Sequence, residues 1–168
     1  SRLLAKLLAH PYLSQAPPKS TGREAFGTKM LDELLNWQHT RRLSVEDLLA
    51  TCSRWTAEAV GTARRWIKGG IDDVIVGGGG VRNRAIMGHL TDIFAPVPVT
   101  SFEAHGWDSK ALESVAFAVL AYQTVMEQCG NVPSVTGAAS PRILGCIVPS
   151  GPQWYEQLRS RKGGSKKK

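Results

Sequence analysis

The sequence predicts an α/β fold with a short mixed sheet of about three strands packed by helices. Three observations carry that expectation: the β-branched run Asp72-Asp73-Val74-Ile75-Val76 leads straight into four glycines, a helical pattern follows them, and a second β-prone stretch, Pro96-Val97-Pro98-Val99-Thr100, follows the helix. Strand, glycine turn, helix and strand is the repeating unit of α/β proteins. At 168 residues, 42% apolar and 21% charged, the chain has the length and composition of one folded domain.

The elements follow in order. Leu3, Leu4, Leu7 and Leu8 recur as one face of a short helix that Pro11 is expected to end. The opening Ser1–Arg23 contains Arg2, Lys6, Lys19 and Arg23 and no acid, a superficial likeness to a transit peptide; a short helix is the preferred reading. Its first residue is Ser, which marks a processed chain or a fragment. Pro17-Pro18 reads as a stiff linker. Thr21-Gly22-Arg23-Glu24 has the form of a capping box, predicting a helix from about Gly22 to Trp37. Ser44-Val45-Glu46-Asp47 opens the clearest amphipathic pattern, with Val45, Leu48, Leu49, Cys52, Trp55, Thr56, Ala59, Val60, Ala63, Trp66 and Ile67 at helical spacing. A long core helix ending at Lys68-Gly69-Gly70 is expected, with both tryptophans in the core.

Behind the glycines, Asn83 begins a helix carrying Ile86, Met87, Leu90, Ile93 and Phe94 along one side. Prolines 96 and 98 confine the next strand to the vicinity of an edge. Asp108 or Ser109 is expected to cap a largely buried helix reaching about Gln128, with Leu112, Val115, Ala116, Val119, Leu120, Ala121 and Met126 inside. A loop through Asn131-Val132-Pro133 and Thr136-Gly137-Ala138 leads to a final strand, Arg142 to Val148. The division expected is one lobe over 1–150 and a basic, largely disordered tail over 151–168.

Charge narrows the partners. The formal net charge is +7, yet Arg159, Arg161, Lys162, Lys166, Lys167 and Lys168 all lie in the last ten residues. Without them fifteen basic residues face fourteen acidic ones, so no specific nucleic-acid interface is expected in the body. Cys52, Cys129 and Cys146 form neither a disulfide framework nor a zinc pattern, and His10, His39, His89 and His105 share no ligand spacing. No apolar run reaches the length of a membrane span. A cytoplasmic, reduced protein is expected.

Four consecutive glycines discard side chains and cost backbone entropy while allowing positive φ and close approach of bare main chain to a ligand. With a helix starting behind them, backbone N–H groups and the positive end of the helix dipole suit an anion or nucleotide. Neither a dinucleotide fingerprint nor a P-loop fits the spacing. A ligand wall and a tight packing turn both satisfy the pattern.

A run of motifs resembles the anhydro-N-acetylmuramic acid kinases: Pro17-Pro18-Lys19-Ser20-Thr21-Gly22-Arg23-Glu24 with Phe26, Asp47-Leu48-Leu49-Ala50-Thr51, and Gly78-Gly79-Gly80 with Asn83. Glu113 with Ala116-Phe117-Ala118 and Leu120-Ala121, Val135-Thr136-Gly137-Ala138, and Leu144-Gly145 continue it in the family's order across roughly residues 1 to 149. The resemblance implies the C-terminal portion of a ribonuclease-H-like, actin-like ATPase lobe from the sugar kinase superfamily. It also implies ATP with Mg2+, and a reaction in which water opens a 1,6-anhydro ring while O6 is phosphorylated, as in cell-wall recycling.

The same resemblance implies roles residue by residue. Gly78, Gly79, Gly80 and Asn83 become the wall of the nucleotide site; Glu113, Lys19, Ser20, Arg23 and Thr136 become sugar contacts. Val81 and Arg82 stand where Ala and His are common, Gly77 replaces a usual Cys or Ala, and Ser114 replaces Ala. No catalytic residue and no metal ligand is carried over, because the first phosphate loop and the Asp-Thr-Gly-Pro-Gly-Asn segment with the catalytic Asp find no match in this chain. Turnover by these residues alone is not expected. An open sheet edge would call for the N-terminal half, another chain, or a second copy in a homodimer.

Overall fold

The computed structural model describes residues 1–37, 40–148, 151, 153, 154, 156, 157 and 160. Its elements in chain order are α1 (Arg2–Leu8), α2 (Pro11–Ser14), α3 (Thr28–Asn36), α4 (Val45–Gly61), β1 (Val74–Val76), α5 (Arg84–Phe94), β2 (Val99–Ser101), α6 (Leu112–Val125) and α7 (Pro133–Thr136). Single 3-10 turns cover Thr40–Arg42, Thr62–Trp66, Gly79–Arg82 and Phe102–His105.

The α/β class holds, with a smaller sheet than expected. Among the described residues β1 and β2 form a two-stranded parallel sheet, with Val74 opposite Val99 and Val76 opposite Ser101. Parallel strands need a crossover, which α5 supplies. Both prolines precede β2, and the Pro98 carbonyl accepts from Val74 N–H at 2.9 Å, so neither missing N–H interrupts the ladder. The predicted third strand over Arg142–Val148 does not form. Gly145 at φ +85° breaks the extended run, and the carbonyls of Arg142 and Leu144 are taken by Gly130 N–H and the Thr124 hydroxyl. The segment therefore runs beside α6 and adds nothing to the sheet.

The core lies where α4 and α5 cross over the sheet. Ala57, Leu90 and Phe94 are buried there, with Val74, Val76, Ile86, Ile93, Val97 and Val99 packed against them. A Cβ on Gly61 would stand 2.7 Å from Ile93 Cγ2, so the absent side chain lets the two helices approach. Arg64 fastens the junction: its Nη1 donates to the Ile93 carbonyl at 2.7 Å and its guanidinium lies 5.3 Å from the centroid of the Phe94 ring. Leu3 and Leu7 bury α1, which packs on α4.

Several helical expectations need correction. The leucine-faced helix α1 does end before Pro11, at Leu8, but Pro11 then opens a further helix, α2, since a residue without an N–H suits a first turn and His10 Nδ1 caps it by accepting from Tyr12 N–H. Glu24 reaches Gly22 N–H at 2.6 Å and closes only a turn, so the next helix starts at Thr28. Ser44 caps α4 as expected, accepting from Asp47 N–H at 3.0 Å. The α-helix stops at Gly61, and Val45, Leu49, Val60, Trp66 and Ile67 are exposed. Small residues at the α4–α5 contact, Ala57 above all, take the buried positions that the large apolar residues were expected to fill. The helix predicted to be largely buried, α6, has no buried residue and ends at Val125. Its cap is Ala111, with no side-chain cap bond, while Asp108 Oδ1 accepts from Lys110 N–H. His39, and the tail beyond residue 160, lie outside the described residues.

Candidate functional site

The four glycines divide into one closed position and three open ones. A Cβ on Gly77 would stand 2.8 Å from the Phe102 ring and 2.9 Å from Leu112 Cδ2, so these two side chains close over the end of β1. Nothing lies within 4 Å of a Cβ built on Gly78, Gly79 or Gly80. Gly78 has φ +79°, which favours glycine, and turns the chain into a 3-10 turn held by Val81 N–H to the Gly78 carbonyl and Asn83 N–H to the Gly80 carbonyl. Close packing explains Gly77, but it does not explain the next three. They present bare main chain to open space just before α5.

Asn83 has a structural role of its own. Its Oδ1 accepts from Ala85 N–H at 3.0 Å and Ile86 N–H at 3.2 Å, capping α5 and fixing the orientation of that helix behind the bend. Leu112 touching Gly77 sets the first turn of α6 beside the same bend, and Glu113 is the next residue. Glu113 is exposed in that first turn, a favourable place for an anion.

Glu103 was not anticipated from the sequence. It sits on the turn after β2, and its carboxyl is held down to about 2 by hydrogen bonding, first at Ser109, then at its own backbone and Ser101. Ser109 N–H also donates to Glu103 Oε1 at 3.3 Å, which ties the turn to the start of α6. A carboxylate two residues after one serine and six before another is the signal that could have found it. His105 Nε2, on the same turn, lies 3.0 Å from Thr100 Oγ1 and 3.7 Å from Asp73 Oδ2.

The remaining candidates form a second group. Phe26 is set among His10, Tyr12 and Trp55 at centroid distances of 4.7, 5.5 and 5.6 Å, anchoring the 17–26 segment on α2 and α4. Lys19 Nζ donates to the Tyr12 carbonyl at 2.9 Å and lies 4.5 Å from that ring's centroid. Ser20 and Arg23 are exposed. Gly137, beside Thr136, rests on Pro18: a Cβ there would stand 3.5 Å from Pro18 Cγ. Lys19 and Thr136, distant in sequence, thus come from touching segments. Thr136 Oγ1 donates to the Val132 carbonyl and accepts from Ala138 N–H, so its hydroxyl also shapes the turn. No described hydrogen bond, ion pair or ring contact joins this group to the glycine bend.

Comparison with known proteins covers the span in which both groups lie. The family model described as anhydro-N-acetylmuramic acid kinase matches residues 1–150. The anhydro-N-acetylmuramic acid kinase of Clostridioides difficile is 40% identical over 151 residues, covering 88% of this chain and 39% of that protein. The same-named protein of a Cyanothece species is 42% identical over 144 residues, covering 85% and 38%, and that of Salinibacter ruber 41% over 153 residues, covering 89% and 38%. This chain accordingly spans about two-fifths of the length of the curated relatives it matches. On the match to the family model and these identities, it belongs to the anhydro-N-acetylmuramic acid kinase family.

Proposed function

We propose that this chain forms one face of an ATP-dependent kinase of anhydro-N-acetylmuramic acid, built on an actin-like lobe of the sugar kinase superfamily. In that reaction water opens the 1,6-anhydro ring and ATP supplies the phosphoryl group to O6. Gly78, Gly79 and Gly80 would hold the nucleotide through bare main chain, with Asn83 fixing α5 behind them. Lys19, Ser20, Arg23, Thr136 and Glu113 would meet the sugar. The observation that carries the reading is the open glycine bend, three residues with no atom where a side chain would stand, in a chain matched to this family over residues 1–150.

The residues fit ATP better than they fit a protein-held metal. No three His, Cys, Asp or Glu side chains cluster among the described residues. Mg2+ usually keeps several waters and rides on substrate phosphates, so it would arrive with the nucleotide. Phosphoryl transfer depends on positioning and charge stabilisation around the phosphates, which one face of a cleft does not complete. Turnover is therefore expected only when the complementary part of such a kinase is supplied. A cytoplasmic location accords with this reading; no helix among the described residues is long and apolar enough to cross a membrane.

A second reading, a non-catalytic nucleotide- or sugar-binding or docking module, is favoured by the exposed apolar surface of α6. Calorimetric titration with Mg-ATP, and kinase assay with and without the complementary segment of a full-length relative, separates the two. ATP binding with turnover on complementation supports the kinase. Binding without turnover under both conditions supports the module, and no ATP binding under either removes the nucleotide site.

A further inference from the structure

The loop over residues 131–142 is closed at its base by one side chain together with one main-chain bond. Asn131 Oδ1 accepts from Arg142 N–H at 2.6 Å, and its Nδ2 donates to the Ser140 carbonyl at 3.2 Å. Gly130 N–H adds a main-chain bond to the Arg142 carbonyl at 3.0 Å. Using acceptor and donor together suits a carboxamide: Asp would keep the acceptor and lose the donor, and Ala would lose both. At the far end of the loop, α7 stops at Gly137 with φ +74°, and Gly137 N–H donates to the Pro133 carbonyl at 2.9 Å. That glycine rests on Pro18, the residue before Lys19.

We propose that Asn131 is a positioning residue, whose carboxamide ties the ends of this loop and so holds Thr136 and Gly137 on Pro18 at the sugar side of the site. The inference rests on the kinase reading for the identity of what the loop meets, and on geometry alone for the loop's placement. A free loop loses entropy when its ends are brought together, and a tie at its base limits the arrangements its tip samples. With the tie in place, Thr136 and Lys19 are presented together. Without it, the loop's base keeps only the main-chain bond from Gly130 N–H to the Arg142 carbonyl.

Nuclear Overhauser spectroscopy on the full chain tests the placement. Wild type is expected to show a contact between the Gly137 α-protons and the Pro18 ring, and Asn131→Ala to lose it while the contact of Gly77 with the Phe102 ring persists. Persistence of the Gly137 contact in Asn131→Ala overturns the proposal. Should that variant not fold, Asn131→Asp carries the same readout, because it retains the acceptor for Arg142 N–H and drops only the donor.

Titration with 1,6-anhydro-N-acetylmuramic acid tests the role. The affinity of Asn131→Ala is expected to fall about tenfold, a loss of the order of one or two hydrogen bonds, with ATP affinity unchanged. Equal sugar affinity in variant and wild type overturns the positioning role. A wild-type chain that binds no sugar counts against the sugar half of the kinase reading and removes the role at the sugar, while the Overhauser contact still decides whether Asn131 places the loop.

Discussion

The helices α5 and α6 are both rich in apolar residues, yet their fates in the fold differ. In α5, Leu90 and Phe94 are each 3% exposed, whereas in α6 Phe117, Tyr122 and Val119 are 64%, 59% and 51% exposed. The first carries its apolar residues as a stripe and needs cover on one side, which α4 and the sheet provide. The second is apolar on every side and needs neighbours on every side. Burying such side chains yields about 1.5–3 kcal/mol each, so the α4–α5 contact stabilises this fold while most of α6 adds little. Apolar content predicts burial only when the chain contains enough surface to cover it.

Removing a ring from the closed region should have the largest effect. Phe94→Ala is expected to cost about 3–5 kcal/mol in urea unfolding, because the cavity opens beneath Leu90 and Ala57. A loss under 1 kcal/mol would mean that this core is no tighter than α6. Next comes the glycine bend, where closed and open positions are adjacent. Gly77→Ala should cost about 1–3 kcal/mol as Phe102 and Leu112 are pushed aside, whereas Gly79→Ala should be neutral or stabilising by up to about 1 kcal/mol. Equal effects in the two variants would erase the distinction between packing turn and ligand wall.

On the open side, Phe117→Ser should change stability by no more than about 0.5 kcal/mol. A larger loss would show that α6 is covered in solution, and sedimentation at rising concentration would identify self-association as the cover. The smallest effect concerns pH. The Glu103 carboxyl lies at about 2 in the folded chain against an ordinary 4.5. Its contribution is therefore complete above the unfolded value and drains away as pH falls from about 4.5 toward 2. Thermal midpoints across that window should fall more steeply for wild type than for Glu103→Gln; parallel curves would remove the serine-held carboxylate.

Much of the local structure was legible. Ser44 and Asn83 cap their helices because their oxygens meet N–H groups two or three residues away, a relation contained within one short segment. The βαβ order of β1, α5 and β2 likewise follows from a β-branched run, glycines and a helical stripe. What could not be read were consequences of distant partners. Thr21-Gly22-Arg23-Glu24 has the letters of a capping box, yet Phe26 settles among His10, Tyr12 and Trp55 and the helix starts later, at Thr28.

For the candidate site the division is similar. The glycines and the family motifs were visible as text, but the separation of Gly77 from Gly78, Gly79 and Gly80 depends on Phe102 and Leu112, which are far along the chain. The meeting of Gly137 with Pro18 and the ties made by Glu103 and Asn131 are of the same kind. By itself the sequence determined the α/β class, the helix starts at Ser44 and Asn83, and the family, because these rest on neighbours in the chain or on ordered motifs. Only the tertiary structure decided which apolar faces are covered, which glycines are open and why residues 142–148 make no strand, since each outcome depends on atoms brought together across long stretches of chain.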